Sequence, residues 1–181
     1  LCERHMGRYP VISFSLKDVE GGSYEAALKM ISGMIKEEAR RHQYLLESDR
    51  LTDIDKESLK ELYAPYFDED VQKRSLKLFS ELLGKHYGRR VVILIDEYDV
   101  PLDKAYQKGY YGQMVELIRS FLSQALKTNA NLEFAVLTGC LRIARESIFT
   151  GLNNFNVFSI SDSDCSEYFG FTDGEVREML R

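Results

Sequence analysis

At 181 residues, with 44% apolar and 29% charged side chains, the chain has the length and balance of one globular domain with a sizeable core. A formal net charge of −5 disfavours a general nucleic-acid binder, because phosphate contacts need a basic surface; the short clusters Arg40-Arg41, Lys85-His86 and Arg89-Arg90 read as solvated helix ends. No apolar run approaches the roughly 20 residues that span a bilayer, and Cys2, Cys140 and Cys165 form no CxxC pair, which points to reduced thiols in a cytoplasmic protein.

In chain order, YPVISFSL (9–16) alternates apolar and small residues after Pro10 and reads as a strand. Gly21-Gly22-Ser23 breaks it, with Ser23 as an N-cap. Tyr24, Leu28, Ile31, Ile35, Ala39, His42 and Leu46 then recur at helical spacing, which predicts an amphipathic helix over 24–47. A polar stretch with Thr52 and Asp53 leads into a short helix that must end before Pro65. Asp68, Glu69 and Asp70 open the next helix, where negative charge suits the N-terminal dipole, and Gly88 stops it.

VVILID (91–96) follows with no alternation, the mark of a central strand covered on both faces. After a polar loop, Met114, Leu117, Ile118, Phe121, Leu122 and Ala125 define a helix over 110–128. LEFAVLTG (132–139) is expected as a second buried strand and VFSI (157–160) as a third, with a last helix starting at Thr172 or Asp173. Strands alternating with helices predict an α/β fold: a mainly parallel sheet with helices on both faces. The chain opens on Leu1 without Met and closes on GEVREMLR without a C-cap, so both ends are expected to be cuts in a longer protein.

The most hydrophobic stretch runs straight into Asp96, Glu97 and Asp99. In open parallel sheets, ligands bind beyond the carboxyl ends of the strands. An apolar strand ending in Asp-Glu has the Walker B pattern of nucleotide hydrolases. There the first carboxylate holds Mg²⁺ through water, since Mg²⁺ dehydrates reluctantly. The second, one residue on, polarises the attacking water. The bland alternative is a strand leaving the core into an acidic, solvated turn. Thr138, at the tip of LEFAVLT, occupies the place of a polar residue that senses the γ-phosphate, although Thr138-Gly139 is equally read as a turn. Arg142 and Arg145 follow within two turns, as phosphate-sensing arginines or as a solvated basic face. Asp99 precedes Val100-Pro101 in a segment expected to be extended, and is read as a supporting residue that bonds loop amides or orients Glu97; Asp103 has no assigned part.

With DEYDVPLD and LTGCLRIARESIFTGLNN together, the sequence resembles the bacterial AAA-ATPase-like family, whose members are often fused to a nuclease-like domain of the PD-(D/E)XK type. GRYPVISFSLKDV, VVILIDEYDVPL, SIFTGLNN and SEYFGFTDGEV extend the likeness over nearly the whole chain. The resemblance implies a P-loop NTPase-like core over 1–170 and the start of a following helical segment over 171–181. It further implies Mg²⁺ and ATP as cofactors, Asp96 as metal carboxylate, Glu97 as catalytic base, Thr138 as sensor and Arg142 or Arg145 as sensing arginine. An arginine acting across a subunit boundary would need self-association.

One departure stands out. No GxxxxGK[ST] occurs in the sequence, and Gly84-Lys85-His86 sits at a helix end. Without those loop amides and that lysine the β- and γ-phosphates lose their main cradle. The chain as given is therefore expected to bind ATP weakly or not at all, whatever the full-length protein does. The competing reading is a nucleotide-independent scaffold on the same fold. A metal-dependent nuclease using Asp96, Glu97 and Asp99 ranks last, because Glu133-Phe134-Ala135 lacks the lysine such sites want.

Overall fold

The computed structural model describes residues 2–64, 68–140, 156–159 and 170–180. In chain order the elements are α1 (Cys2–His5), β1 (Val11–Ser15), α2 (Tyr24–Arg41), a 3-10 turn (Gln43–Glu47), α3 (Asp53–Glu61), α4 (Glu69–Tyr87), β2 (Val91–Asp96), α5 (Val100–Lys108), α6 (Tyr111–Leu126), β3 (Leu132–Leu137) and α7 (Asp173–Met179). The three strands form one parallel sheet in the order β1-β2-β3. The fold is thus α/β with a parallel sheet, as the alternation of elements predicts. Among the described residues no helix is long and apolar enough to cross a membrane.

Caps set most helix boundaries. The Ser23 hydroxyl accepts from the Ala26 amide, the Asp68 carboxylate from the Val71 amide, and Thr52 and Asp55 form a reciprocal capping box. Gly88 ends α4 in a left-handed conformation, φ 62°. Thr172 caps α7 with Glu175, so the last helix starts at Asp173, one of the two starts that the sequence predicts. The helix expected over 24–47 stops at Arg41 and continues only as the 3-10 turn, because the His42 ring turns inward to Glu38 and Tyr44.

Two further expectations are corrected here, on the segment after β2 and on VFSI. The polar loop after β2, including the extended segment at Val100-Pro101, is the helix α5. Proline is tolerated there because it sits in the first turn, where its missing N–H has no partner to lose, and Leu102 and Ala105 give the helix a buried face against α6. Residues 157–159 of VFSI lie in no strand, with Val157 and Phe158 exposed; Ile160 falls outside the described residues.

The helices on the sheet, α2, α4 and α6, also pack on one another, so they share one face. Beneath them lie Ile12, Phe14, Ile93 and Ile95, with Phe14 against the rings of Phe79 and Phe121 at 6.3 and 5.8 Å. Among the described residues the expected cover is found on this face; on the other, Leu94, Phe134 and Val136 are 37%, 42% and 47% exposed. The strand LEFAVL is accordingly not buried as expected. A bulge at Glu133, between the Val91–Leu132 and Val92–Phe134 partners, turns Phe134 and Val136 onto this open face.

The outer edge of β1 is closed by α2. Arg41 Nη2 donates to the Val11 carbonyl at 2.6 Å, and the Ser13 amide donates to Glu38 Oε1 at 3.2 Å. Arg41 holds Glu38 through both carboxylate oxygens at 2.6 and 2.8 Å, and His42 Nε2 lies 3.1 Å from Oε1. These side chains take the backbone groups that a further strand would need. Burial alone would raise the Glu38 carboxyl, but the bonds from His42 and Arg41 outweigh it and hold the group below its ordinary value of 4.5. A carboxyl depressed by folding adds stability above its unfolded value, and that stability fades as pH falls through the folded one. Urea unfolding at a series of pH values should therefore show stability dropping below pH 4.5, and Glu38→Gln should be weaker at neutral pH with a flatter acid limb. An unchanged acid limb would show that Glu38 does not carry this dependence.

Candidate functional site

A parallel sheet brings the carboxyl ends of all its strands to one side. Here that edge carries Ser15 on β1, Asp96 on β2 and, just past β3, Thr138. Asp96 and Thr138 are exposed, and Ser15 is the register partner of Asp96. The Leu16 amide donates to the Asp96 carbonyl at 2.9 Å and the Thr138 amide to the Ile95 carbonyl at 2.9 Å, so both neighbours are pinned to the tip of β2.

Thr138 joins the tips through its side chain as well. Its hydroxyl donates to Asp96 Oδ1 in a close contact and accepts from the Glu97 amide at 3.3 Å. Its carbonyl accepts from the Tyr98 amide at 3.1 Å. Thr138 is thereby bonded to four consecutive residues of the β2 tip, 95–98. Glu97, half-buried, sits at φ 54°, in the left-handed region that a residue with a Cβ enters at a cost. Strain of this kind persists where surrounding bonds over-determine the backbone. Here those bonds are the ones to Thr138.

Asp99 lies below this bridge and is 3% exposed. It occupies the N-cap position of α5, where an aspartate usually caps its own helix. Its side chain makes no such cap. Instead Oδ2 accepts from the Cys140 amide at 2.9 Å, on the turn after β3. Gly139, between Thr138 and Cys140, has no room for a side chain: a Cβ there would stand 2.7 Å from Asp99 Oδ1 and 2.9 Å from the Tyr98 ring. The two turns, 97–99 and 138–140, therefore interlock. Asp103 stands apart, in the first turn of α5, where it accepts from Gln107 Nε2 at 2.7 Å.

The sequence-predicted Asp96, Glu97, Thr138 and Asp99 are thus brought together, whereas Arg142 and Arg145 lie outside the described residues. Gly139 and the Cys140 amide are additions. Their signal, a glycine immediately after the strand-end threonine, is visible in the sequence, but the close approach that requires it is not. No cluster of three or more His, Cys, Asp or Glu suited to a metal occurs among the described residues. The exposed tip instead offers oxygen donors around one carboxylate. That suits Mg²⁺, which keeps several waters and is commonly held by one or two carboxylates. For a nucleotide the fit is incomplete, since no GxxxxGK[ST] is present to cradle its phosphates.

The family model described as predicted AAA-ATPase matches residues 2–149. An uncharacterized protein in the vnfD 5′ region of Azotobacter chroococcum mcd 1 is 33% identical over 109 residues, covering 58% of this chain. The aligned part amounts to 21% of that relative's length. No solved structure matches the chain.

Removing the Asp99 carboxylate strips the Cys140 amide of its acceptor. Asp99→Ala should therefore lower unfolding free energy by about 1–3 kcal/mol, the range for leaving a donor without its partner. Asp103→Ala, which loses only an i,i+4 contact, should stay within about 0.5 kcal/mol. Equal losses in urea titrations of the two variants would contradict the interlock.

Proposed function

The chain belongs to the predicted AAA-ATPase family, and on that premise we propose that it carries the metal- and water-handling half of an ATP-hydrolysing site. The observation that supports this most is the Thr138 hydroxyl bridging the Asp96 carboxylate and the Glu97 amide across two strand tips. In this reading Asp96 holds Mg²⁺, Glu97 is the general base and Thr138 is the sensor. Arg142 and Arg145 remain the candidates for a sensing arginine on sequence grounds.

Bound Mg²⁺ would supply charge neutralisation at phosphate oxygens. The chain's own residues divide the remaining work. Thr138 donates to one oxygen of Asp96, which fixes the carboxylate's rotation and leaves the other oxygen for a ligand. Glu97, one residue on and in a left-handed backbone conformation, would supply a second carboxylate separate from that of Asp96. This separation matters because a carboxylate neutralised by a metal is a poor base. Glu97 would accept the proton of a water held beside it.

The second reading is a nucleotide-independent scaffold on the same fold, for which these 181 residues, holding no GxxxxGK[ST], would suffice. It predicts no turnover by the folded full-length protein, whereas the ATPase reading predicts Mg²⁺-dependent phosphate release. In the full-length protein, Glu97→Gln should keep nucleotide binding and abolish turnover; a wild-type rate would remove Glu97 as base. Glu97→Asn should likewise abolish turnover, yet raise stability by about 1 kcal/mol, because asparagine tolerates a left-handed backbone better. Calorimetric unfolding reads the second effect independently of the first, and a loss of stability would contradict strain at Glu97.

A further inference from the structure

We propose that Ser15 is a positioning residue of this site, its hydroxyl orienting the water shell on the β1 side of Asp96. Thr138 holds the same carboxylate from the β3 side. The proposal rests on the reading of Asp96 as the Mg²⁺ carboxylate.

Register on the exposed face of the sheet places Ser15. Residues paired across parallel strands point to the same side, so this face is crossed by successive rows. The first is Val11, Val92 and Phe134, and the second is Ser13, Leu94 and Val136. The third, at the carboxyl edge, brings Ser15 beside Asp96, with Thr138 bonded to Asp96 from the other flank. Apolar side chains fill most of the first two rows, and the third is wholly polar. Neighbouring strands lie about 4.8 Å apart, so the Ser15 hydroxyl is within one bridging water of the Asp96 carboxylate.

Several bonds fix Ser15 in that place. Phe14 and Leu16 on either side are buried, which forces Ser15 outward by alternation. The Leu16 amide is tied to the Asp96 carbonyl, and Glu38 with Arg41 clamps Ser13 and Val11 from the outer edge. A one-residue slip would bury the serine and expose the phenylalanine. A hydroxyl held this rigidly beside a carboxylate can order a water at little entropic cost. The simpler reading is a serine on a solvated strand face, and the same face supplies the control. Ser13 is the same residue type one row down, beside Leu94.

The test is a titration of the full-length protein with Mn²⁺ alone, reading paramagnetic broadening of the Thr138 methyl signal. Ser15→Val, isosteric with threonine and favourable in a strand, should shift the midpoint to about 3- to 10-fold higher Mn²⁺, the factor for one lost net hydrogen bond. Ser15→Thr should titrate as wild type, and so should Ser13→Val. Unfolding temperatures in EDTA should agree for all of these, which separates the effect from a structural one. A wild-type midpoint for Ser15→Val, with broadening lost in Asp96→Asn, would overturn the role of Ser15 alone. An equal shift for Ser13→Val would overturn it too, by assigning the effect to the face as a whole. Unchanged broadening in Asp96→Asn would overturn the assignment of Asp96 itself and this proposal with it.

Discussion

One threonine side chain holds the tips of two strands together, and the geometry of the site depends on it. The Thr138 hydroxyl donates to Asp96 and accepts from the Glu97 amide, while its backbone bonds Ile95 and Tyr98. A strand that ended in solvent could place its last carboxylate in several rotamers. The bond from Thr138 selects one. The same contacts surround Glu97, which sits at a positive φ immediately after the carboxylate that Thr138 holds. Asp99 completes the arrangement from below by taking the Cys140 amide, which keeps the β3 turn from drifting away from β2.

This local order is built on a sheet whose two faces differ among the described residues and whose β1 edge is closed. Aromatic and branched residues seat α2, α4 and α6 on one face, and the Glu38–Arg41 pair occupies the outer edge groups of β1. The β1–β2 ladder, with the Leu16 amide on the Asp96 carbonyl, aligns the polar row at the carboxyl edge. A buried carboxylate is a costly device for closing an edge. Here it is compensated by two arginine bonds, a histidine and a backbone amide, and its cost returns only in acid.

The parts of the fold governed by local chemistry were readable in the sequence. The cap at Ser23, the helix starts near Thr52, Asp68 and Thr172 and the stop at Gly88 depend on nearest neighbours in the chain, and the unbroken apolar run VVILI identifies the middle strand. Features decided by partners distant in sequence were not readable. The segment after Glu97 looks polar and carries a proline, yet Leu102 and Ala105 find α6 and make it a helix. LEFAVL looks like a buried strand, but the bulge at Glu133 presents Phe134 and Val136 on the open face. At the site, Asp96, Glu97, Thr138 and Asp99 could be picked out by residue type and position. The need for glycine at 139 and the pairing of Ser15 with Asp96 could not, since both follow from register and close approach between separate strands.

The most direct measurement is Mg²⁺-dependent phosphate release from ATP by the full-length protein carrying Thr138→Val or Thr138→Ser. Valine preserves the shape of threonine and removes the bridge; serine keeps the bridge and removes only a methyl group. Turnover near the wild-type rate is expected for the serine variant, and its loss for the folded valine variant. Equal turnover in the two would contradict the claim that the bridge between the strand tips organises the chemistry.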